Sequence, residues 1–199
     1  EVSCMSGKYI AYVGSYSYTG KAKGITVFDV DVENGMFKER CEIEVDNSSY
    51  VIASSDGKTL YSIADEGVVS FRILPNGSLA RLNSAPIRGM RGCHLCTDEE
   101  DKYVFVSGYH DGKTTVLSLN PDGSVGKIVD GVFDRGYGSV AERNFRPHVT
   151  CTRRMPDNRF VLSVDNGIDQ VKIYRFNDKE QRLVQVDAIR CELESAPRH

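Results

Sequence analysis

One stretch of the chain carries the clearest structural signal: Phe145-Arg-Pro-His-Val-Thr-Cys-Thr-Arg-Arg-Met-Pro-Asp-Asn-Arg-Phe-Val-Leu-Ser-Val-Asp-Asn-Gly167. It predicts a short strand, a tight turn and a second strand that ends in Asp165. Related segments run from Ser49 to Glu66 and from Cys93 to His110. Self-similarity with a period of roughly 40–50 residues, in a sequence made of strands, is typical of the blades of a β-propeller.

The composition restricts the classes of partner. The chain has 199 residues, of which 40% are hydrophobic, and a formal net charge of -3 at pH 7. Because this mild negative charge offers no attraction to phosphate backbones or anionic lipids, we expect neither nucleic acid nor a membrane as partner. No apolar run approaches the roughly 20 residues that a membrane-spanning helix requires.

Six cysteines are spread along the chain. Since no secretory signal is recognisable in the first residues, we expect reduced thiols and a cytoplasmic protein. Cys93 and Cys96 have the spacing of a metal or redox pair, but no second pair at zinc spacing exists, and a strand would turn the two side chains to opposite faces. We therefore expect no metal and no cofactor, and interpret the two cysteines as small packing residues.

The repeat divides the chain into four units, which we place at approximately 8–46, 47–89, 90–140 and 147–195. The first three units share a hairpin signal at the same place, at Asn34-Gly35, Asn76-Gly77 and Asp122-Gly123. The fourth unit lacks this glycine, and the first lacks the short strand that opens the others. The insertion from Asp130 to Arg146 is polar and glycine-bearing, which predicts a surface loop.

These features predict an all-β protein, a β-propeller of four-stranded antiparallel blades. A parallel sheet would need helical crossovers, and the sequence indicates none. A sandwich of short strands is the alternative, but the recurrent turn chemistry favours the propeller.

The last residues, Ala196-Pro-Arg-His199, resemble Arg146-Pro-His148, where the fourth unit opens. We therefore expect 1–199 to be an incomplete β-propeller domain, with about four blades present and a fifth starting at 196–199. The remaining blades would come from the C-terminal half of the same protein, or self-association would cover the open edges. The alternative is a complete four-bladed ring.

Antiparallel blades bring distant residues to one rim of the central channel. If the first strand of a blade is innermost, its start lies beside the end of the second strand. The strand-one starts are Tyr50, His94, His148, Arg198 and His199. The strand-two ends are Tyr16, Asp65, Glu66, Tyr109, His110, Asp165 and Asn166.

A histidine, a carboxylate and arginines around a channel suit general acid/base chemistry on an anionic substrate. His148 or Glu66 would move the proton, and arginines such as Arg143 or Arg146 would bind the anion and favour developing oxyanion charge. Purely structural interpretations stand beside these: His94 as a core histidine, His110 and Glu66 as solvated loop residues, Asp165 as a turn-forming carboxylate. No Gly-x-Ser-x-Gly elbow, Walker loop or dinucleotide fingerprint is present, so nothing indicates a covalent nucleophile or a nucleotide.

Six segments follow one another in an order that a known family shares. They are Tyr12-Val-Gly-Ser-Tyr16, Gly24-Ile-Thr-Val-Phe28, Ser55-Asp-Gly-Lys-Thr-Leu-Tyr61 with Asp65-Glu66, Gly92-Cys-His-Leu95, Arg143-Asn-Phe-Arg-Pro-His148, and Asn158-Arg-Phe-Val-Leu162 with Asp165. In these segments the sequence resembles the lactonase family of seven-bladed β-propellers, of the 6-phosphogluconolactonase and carboxy-cis,cis-muconate lactonizing enzyme type.

The resemblance implies a seven-bladed ring, a protein considerably longer than this chain, and no metal requirement. It implies that His148 and Arg198 are catalytic, with Glu66, His94 and Arg143 lining the same channel. Two positions depart from the family pattern. Thr150 stands where many members have a second histidine, and Asn144 stands where a glutamine is usual.

We therefore predict a lactonase that hydrolyses the lactone of an anionic sugar acid, with 6-phosphogluconolactone as the first candidate. The predicted catalytic residues are His148, Glu66 and Arg198, and the predicted substrate-binding residues are Arg143, His94, His199, Asp165 and Tyr109. Two alternatives remain: a muconate-type lactonizing cycloisomerase acting on a diacid, and a propeller that only binds a partner.

Overall fold

The computed structural model describes residues 9–138 and 146–199, and these residues form fifteen strands in four antiparallel sheets. The first sheet contains β1 (Tyr9–Gly14), β2 (Gly24–Asp31) and β3 (Met36–Glu44). The second contains β4 (Val51–Ala53), β5 (Thr59–Ile63), β6 (Gly67–Ile73) and β7 (Leu79–Pro86). The third contains β8 (His94–Thr97), β9 (Tyr103–Gly108), β10 (Lys113–Leu119) and β11 (Val125–Phe133). The fourth contains β12 (Val149–Arg154), β13 (Phe160–Asp165), β14 (Gln170–Asn177) and β15 (Arg182–Arg190).

Each sheet is a meander in which consecutive strands are hydrogen-bonded neighbours. The predicted all-β architecture of antiparallel blades is confirmed. In the described part of the chain, the first sheet has three strands and the others have four, so the short opening strand is absent there, as the sequence predicts. Within the described ranges, no helix has the length and apolar character needed to cross a membrane.

The hydrophobic cores lie between neighbouring sheets, and β9 shows how one strand serves two of them. Because alternate side chains of a strand point to opposite faces, Val104 and Val106 pack against the second sheet while Tyr103 and Phe105 pack against the fourth. A third cluster joins the first two sheets around Ile25 and other buried side chains. Since burying each such side chain contributes about 1.5–3 kcal/mol, these clusters hold the blades in a continuous arc.

The hairpins explain the repeated turn signal. Gly35, Gly77 and Gly123 adopt positive φ angles of 65°, 79° and 86°, which glycine reaches without steric cost. In the fourth hairpin Gln181 takes this position with a φ of 53°. The side chain of Asn177 supports that turn by accepting the backbone N–H groups of Lys179 and Glu180.

The insertion before the fourth sheet differs from its prediction. Residues from Asp130 to Phe133 belong to β11, and the following Asp134 is buried. The predicted surface loop is therefore wrong for this part, because the outer strand continues along its neighbour and then turns inward. The predicted site residue Arg143 lies in 139–145, outside the described residues.

The short opening strands β4, β8 and β12 lie next to one another, each at the edge of its own sheet. Direct contacts join β12 to the segment around β8: the Cys93 thiol donates to the carbonyl of Val149 at 3.4 Å, and the Arg154 N–H reaches Cys96 Sγ at 3.4 Å. These strands are therefore the inner ones, and the side chains at their starts share one rim.

Candidate active site

A cleft of about 680 Å³ opens at the rim where β4, β8 and β12 begin. It is lined by Tyr16, Ser49, Tyr50, Cys93, His94, Tyr109, His110, Thr150, Asn166, Glu194, Ala196, Arg198 and His199. These residues come from all four sheets and from the segment after β15. The topology thus brings residues more than 180 positions apart to one place, from Tyr16 to His199.

The structure separates the predicted site residues into two groups. Tyr109, His94, Arg198 and His199 line the cleft, while His148, Asp165 and Glu66 are not among its lining residues. His148 is buried directly behind Tyr109. The roles assigned to these residues from the sequence remain predictions.

His148 is held by Tyr109 on one side. The two rings are stacked, with centroids 4.3 Å apart and an interplanar angle of 14°. The His148 Nδ1 atom lies 2.6 Å from the backbone carbonyl oxygen of Tyr109. Since a carbonyl only accepts hydrogen bonds, Nδ1 carries a proton, and in the neutral ring the lone pair is on Nε2. This is the tautomer that a general base acting through Nε2 requires.

Asp165 fixes the backbone of His148 from the other side. Its Oδ1 atom accepts the N–H groups of His148, Gly167 and Ile168 at 2.8, 2.9 and 3.3 Å. The Asp165 side chain is fully buried, so the structure does not place it on the cleft. Its contacts are those of a carboxylate that ties the end of β13 to the entry of β12.

His94 is buried in the wall of the cleft, where its ring lies 4.6 Å from that of Tyr50. Burial, and then the positive charges of Arg153 and His199, lower the pKa of His94 to about 4. The ring is therefore neutral at pH 7. Its Nδ1 atom faces the N–H of Thr152 at 3.5 Å, and its Nε2 atom faces Cys151 Sγ at 3.6 Å. Such a ring contributes shape and hydrogen bonding to the cleft rather than charge.

The segment that carries Arg198 and His199 is anchored by its backbone. Asp169 accepts the N–H groups of Glu194 and Ala196, both at 2.9 Å. Thr150 Oγ1 donates to the carbonyl of Arg198 at 2.9 Å. The backbone is thus fixed against β12 while the side chains of Arg198 and His199 remain exposed to the cleft.

Glu66 lies in the exposed turn between β5 and β6. The preceding residue, Asp65, is the one engaged in side-chain contacts: Asn47 Nδ2 and Arg91 Nη1 each lie 3.0 Å from its carboxylate. These two partners, Asn47 first, lower the pKa of Asp65. The Arg91 guanidinium also lies 5.0 Å from the ring centroid of Tyr16, so this group supports a wall of the cleft.

Sequence reasoning missed some lining residues. Ser49, Glu194 and Ala196 are small or loop residues that gave no chemical signal, and Cys93 was considered only as a metal or redox ligand. Thr150 could have been found, because it occupies a position where the resembling family often has a histidine.

Comparison with known proteins identifies the family and its fold. The family described as lactonase, 7-bladed beta-propeller, matches residues 10–199. The chain belongs to this lactonase family. The resemblance seen in the sequence, and the propeller fold that it implied, are both confirmed.

Several known proteins are similar to this chain. The 6-phosphogluconolactonase of Bacillus subtilis (strain 168) is 33% identical over 177 residues, covering 86% of this chain and 50% of the relative. A crystal structure of a candidate 6-phosphogluconolactonase from Bacteroides fragilis has a TM-score of 0.90 and 30% identity, covering 100% of this chain and 59% of the other. The periplasmic gluconolactonase of Pseudomonas aeruginosa shares the fold, with a TM-score of 0.88 and 24% identity over 96% of this chain and 57% of the other.

The chain spans about half the length of the curated relatives that it matches. Within residues 9–138 and 146–199, no three His, Cys, Asp or Glu side chains converge so that they could hold a metal ion. The cleft brings together a guanidinium, imidazoles and tyrosine hydroxyls, a set that can bind an anion and donate hydrogen bonds to a polyhydroxylated molecule.

Proposed function

We propose that this chain carries one side of the active cleft of a lactonase that opens the lactone of an anionic sugar acid, with 6-phosphogluconolactone as substrate. The observation that carries the proposal is the oriented imidazole of His148, fixed by Tyr109 and Asp165 beside a cleft that holds Arg198. Membership of the lactonase family and the 6-phosphogluconolactonase names of relatives support the reaction class.

In the proposed reaction a water molecule adds to the lactone carbonyl carbon. His148 Nε2 takes a proton from the water as the new C–O bond forms. When the ring C–O bond breaks, the same proton passes to the departing ring oxygen, which becomes a hydroxyl group. We assign this proton transfer to His148 rather than to Glu66, because the His148 ring is stacked against the cleft residue Tyr109 while Glu66 lies in an exposed turn.

Arg198 supplies the positive charge. Its guanidinium can form paired hydrogen bonds to a phosphate, or stabilise the negative charge that develops on the carbonyl oxygen. His199, His94 and Tyr109 line the same cleft and would contact the sugar chain. Arg143, which lies outside the described residues, remains a predicted anion-binding residue.

The first and fourth sheets lie at the two ends of the arc, and each has a face that no other described sheet covers. We propose that further blades of the same protein cover these faces. The outer face of the fourth sheet has a mainly apolar hollow of about 400 Å³, lined by Met155, Phe160, Leu162, Ile173 and Val186 among others. Membership of a seven-bladed family and relatives about twice as long support a fifth blade as the occupant.

We place the protein in the cytoplasm as a further proposal. It is supported by the thiols of Cys41, Cys93, Cys96, Cys151 and Cys191, which are all unpaired by disulfides. The similar gluconolactonase of Pseudomonas aeruginosa is periplasmic, so fractionation of expressing cells is the deciding measurement. Recovery of the protein with periplasmic markers would exclude the cytoplasm.

A substrate panel tests the function. The full-length protein is assayed with 6-phosphogluconolactone, with unphosphorylated gluconolactone and with a muconate-type diacid. We expect hydrolysis of the phosphorylated lactone at the highest kcat/KM. Conversion of the diacid to a lactone, with no hydrolysis, would favour the cycloisomerase. Absence of all three reactions, together with a stable protein partner, would favour a binding role.

A further inference from the structure

A buried cluster of charged side chains lies behind the cleft and takes no part in the reaction proposed above. Asp134 follows β11, and its Oδ1 atom lies 3.3 Å from Lys172 Nζ and accepts a hydrogen bond from the Tyr174 hydroxyl at 3.0 Å. Only 6% of the Lys172 side chain and 0% of the Asp134 side chain are exposed. An ion pair so far from water is costly unless its charges and hydrogen bonds are satisfied.

Asp165 is the second carboxyl group of this cluster, and its side chain lies close enough to that of Asp134 for a hydrogen bond when one of the two is protonated. Its Oδ1 atom is occupied by the three backbone N–H groups that include that of His148. The Oδ2 atoms of both aspartates are buried, and neither has a hydrogen-bond donor in the described part of the chain. Two acceptor atoms of adjacent carboxyl groups are both satisfied when one proton lies between them.

The charge balance leads to the same arrangement. With both carboxyl groups ionised, Asp134, Asp165 and Lys172 would bury a net charge of about -1. One bound proton makes the cluster neutral. Burial, and then contact with Asp165, raise the pKa of Asp134 to about 7, although the charge of Lys172 opposes the rise.

The titratable groups around the pair come from several elements. Lys172 and Tyr174 face Asp134 from β14, and burial followed by the charge of Asp134 raises the pKa of Tyr174. His148, before β12, contacts Asp165 through its backbone N–H. A proton on Asp134 would be donated to Asp165 and would leave the Oδ1 atom of Asp165 facing the His148 N–H. Loss of that proton would place two carboxylates side by side, and their repulsion would push the Asp165 carboxylate away from this position.

We propose that Asp134 and Asp165 share one proton, and that this pair is a positioning device that holds the entry of β12 so that the ring of His148 stays against Tyr109. The importance of this position for catalysis rests on the function proposed above. The shared proton and the anchoring of His148 do not depend on it.

The test compares Asp165→Ala, Asp165→Asn and Asp134→Asn with the wild-type full-length protein, and uses the exposed turn variant Asp157→Asn as a matched control. Infrared spectroscopy in H2O and D2O detects a protonated carboxyl group. NMR follows the backbone amide of His148 as the pH is raised from 5 to 9. Steady-state kinetics with the lactone gives kcat and KM.

We expect an exchangeable protonated-carboxyl band at pH 5–6 in the wild type and in Asp157→Asn, and its loss in both Asp134→Asn and Asp165→Asn. The part of the pH dependence of the His148 amide signal that follows this band in the wild type should be absent in Asp134→Asn, and the signal should shift strongly in Asp165→Ala. We expect Asp165→Ala to lower kcat at least about 10-fold with KM nearly unchanged. Asp165→Asn should restore most of kcat, because its amide oxygen accepts the same N–H groups and its amide nitrogen donates to Asp134.

Absence of the band in the wild type, or its persistence in Asp134→Asn, overturns the shared proton. An unchanged His148 amide signal in folded Asp165→Ala, or a loss of kcat that Asp165→Asn does not restore, overturns the positioning role. If Asp165→Ala does not fold, Asp134→Asn decides whether the pair positions His148. A His148 amide signal that keeps the band-linked pH dependence in Asp134→Asn overturns the positioning role. If the wild type hydrolyses no lactone, the proposed function fails. Infrared and NMR spectroscopy still decide whether Asp134 and Asp165 share a proton and hold His148.

Discussion

The ring of Tyr109 lies parallel to the ring of His148, and the Tyr109 carbonyl binds His148 Nδ1 at 2.6 Å. Tyr109, which directly follows β9, therefore fixes both the ring plane and the tautomer of His148, the histidine at the start of the next blade. This relationship crosses a blade boundary, so the orientation of His148 depends on how the third and fourth sheets pack.

The first prediction concerns His148 itself. Replacing His148 with Gln in the full-length protein removes the base at Nε2 but preserves much of the side-chain volume. We expect kcat for lactone hydrolysis to fall by about 10²- to 10⁴-fold, the usual contribution of a general base, with little change in KM. Lys58→Gln, in an exposed turn between β4 and β5, serves as the control. Wild-type kcat in His148→Gln would remove His148 from the mechanism.

The second prediction concerns the charge of Arg198. The backbone of Arg198 is held by Thr150, so replacing its side chain with Ala should leave the fold intact. If the guanidinium binds the phosphate, we expect kcat/KM to fall at least about 10-fold for the phosphorylated lactone and much less for the unphosphorylated one. Equal losses for both substrates would instead place Arg198 at the carbonyl oxygen. Arg159→Ala, in the exposed turn between β12 and β13, is the control, and an Arg198→Ala variant no weaker than this control contradicts both roles.

The third prediction tests whether a further blade covers the fourth sheet. Replacing Ile173 with Asp in the full-length protein would bury a carboxylate at that interface and destabilise the protein by several kcal/mol. Val32→Asp, an exposed position after β2, should be close to neutral. Thermal unfolding followed by circular dichroism measures the difference. Equal midpoints for the two variants would show that the outer face of the fourth sheet stays open to water.

The sequence predicted the blades because their causes are local. Turn residues such as Gly77 and Gly123 need positive φ, and the alternation in β9 is read directly from its residues. The shared rim followed from antiparallel topology. The direction of the side chains could not be predicted from this topology. Asp165 ends its strand at the rim, but its side chain turns inward and accepts the backbone N–H of His148. The register of β12 and β13 is irregular between Val149 and Cys151, and a simple alternation cannot anticipate such a shift.

The cluster behind His148 was missed for a related reason. Asp134 lies in a polar stretch that is typical of a surface loop, and Lys172 alternates with apolar residues as an exposed lysine would. Their burial arises only when the residue after β11 packs against β14 of the neighbouring sheet. Long-range pairing of charged residues leaves no periodic signal in a single sequence.

The fourth prediction follows from the neutral state of His94. Its folded-state pKa of about 4 lies below the ordinary value of 6.5. Between pH 6.5 and about 4, His94 is protonated in the unfolded chain but neutral in the folded chain. The stability that is present above pH 6.5 is therefore lost as the pH falls toward 4. We expect His94→Gln to reduce this loss, so that the free energy of unfolding of the variant minus that of the wild type rises from pH 7 to pH 4. Urea unfolding at several pH values measures it, and a difference independent of pH would contradict a buried neutral His94.

The last prediction concerns Asp134, whose contribution to stability changes with pH in the opposite direction to that of His94. Its folded-state pKa of about 7 lies above the ordinary value of 3.8, so between these values the folded chain holds a proton that the unfolded chain has lost. The stability that this proton supplies is complete below pH 3.8 and disappears as the pH rises through 7. Asp134→Asn cannot titrate, and its amide takes the place of the protonated carboxyl group. We expect its free energy of unfolding to approach that of the wild type near pH 4 and to exceed it above pH 7, in the same urea experiments. Because His94 acts in the opposite direction over much of this range, each variant is compared with the wild type at every pH. A constant difference between Asp134→Asn and the wild type from pH 4 to pH 8 would show that Asp134 is ionised throughout.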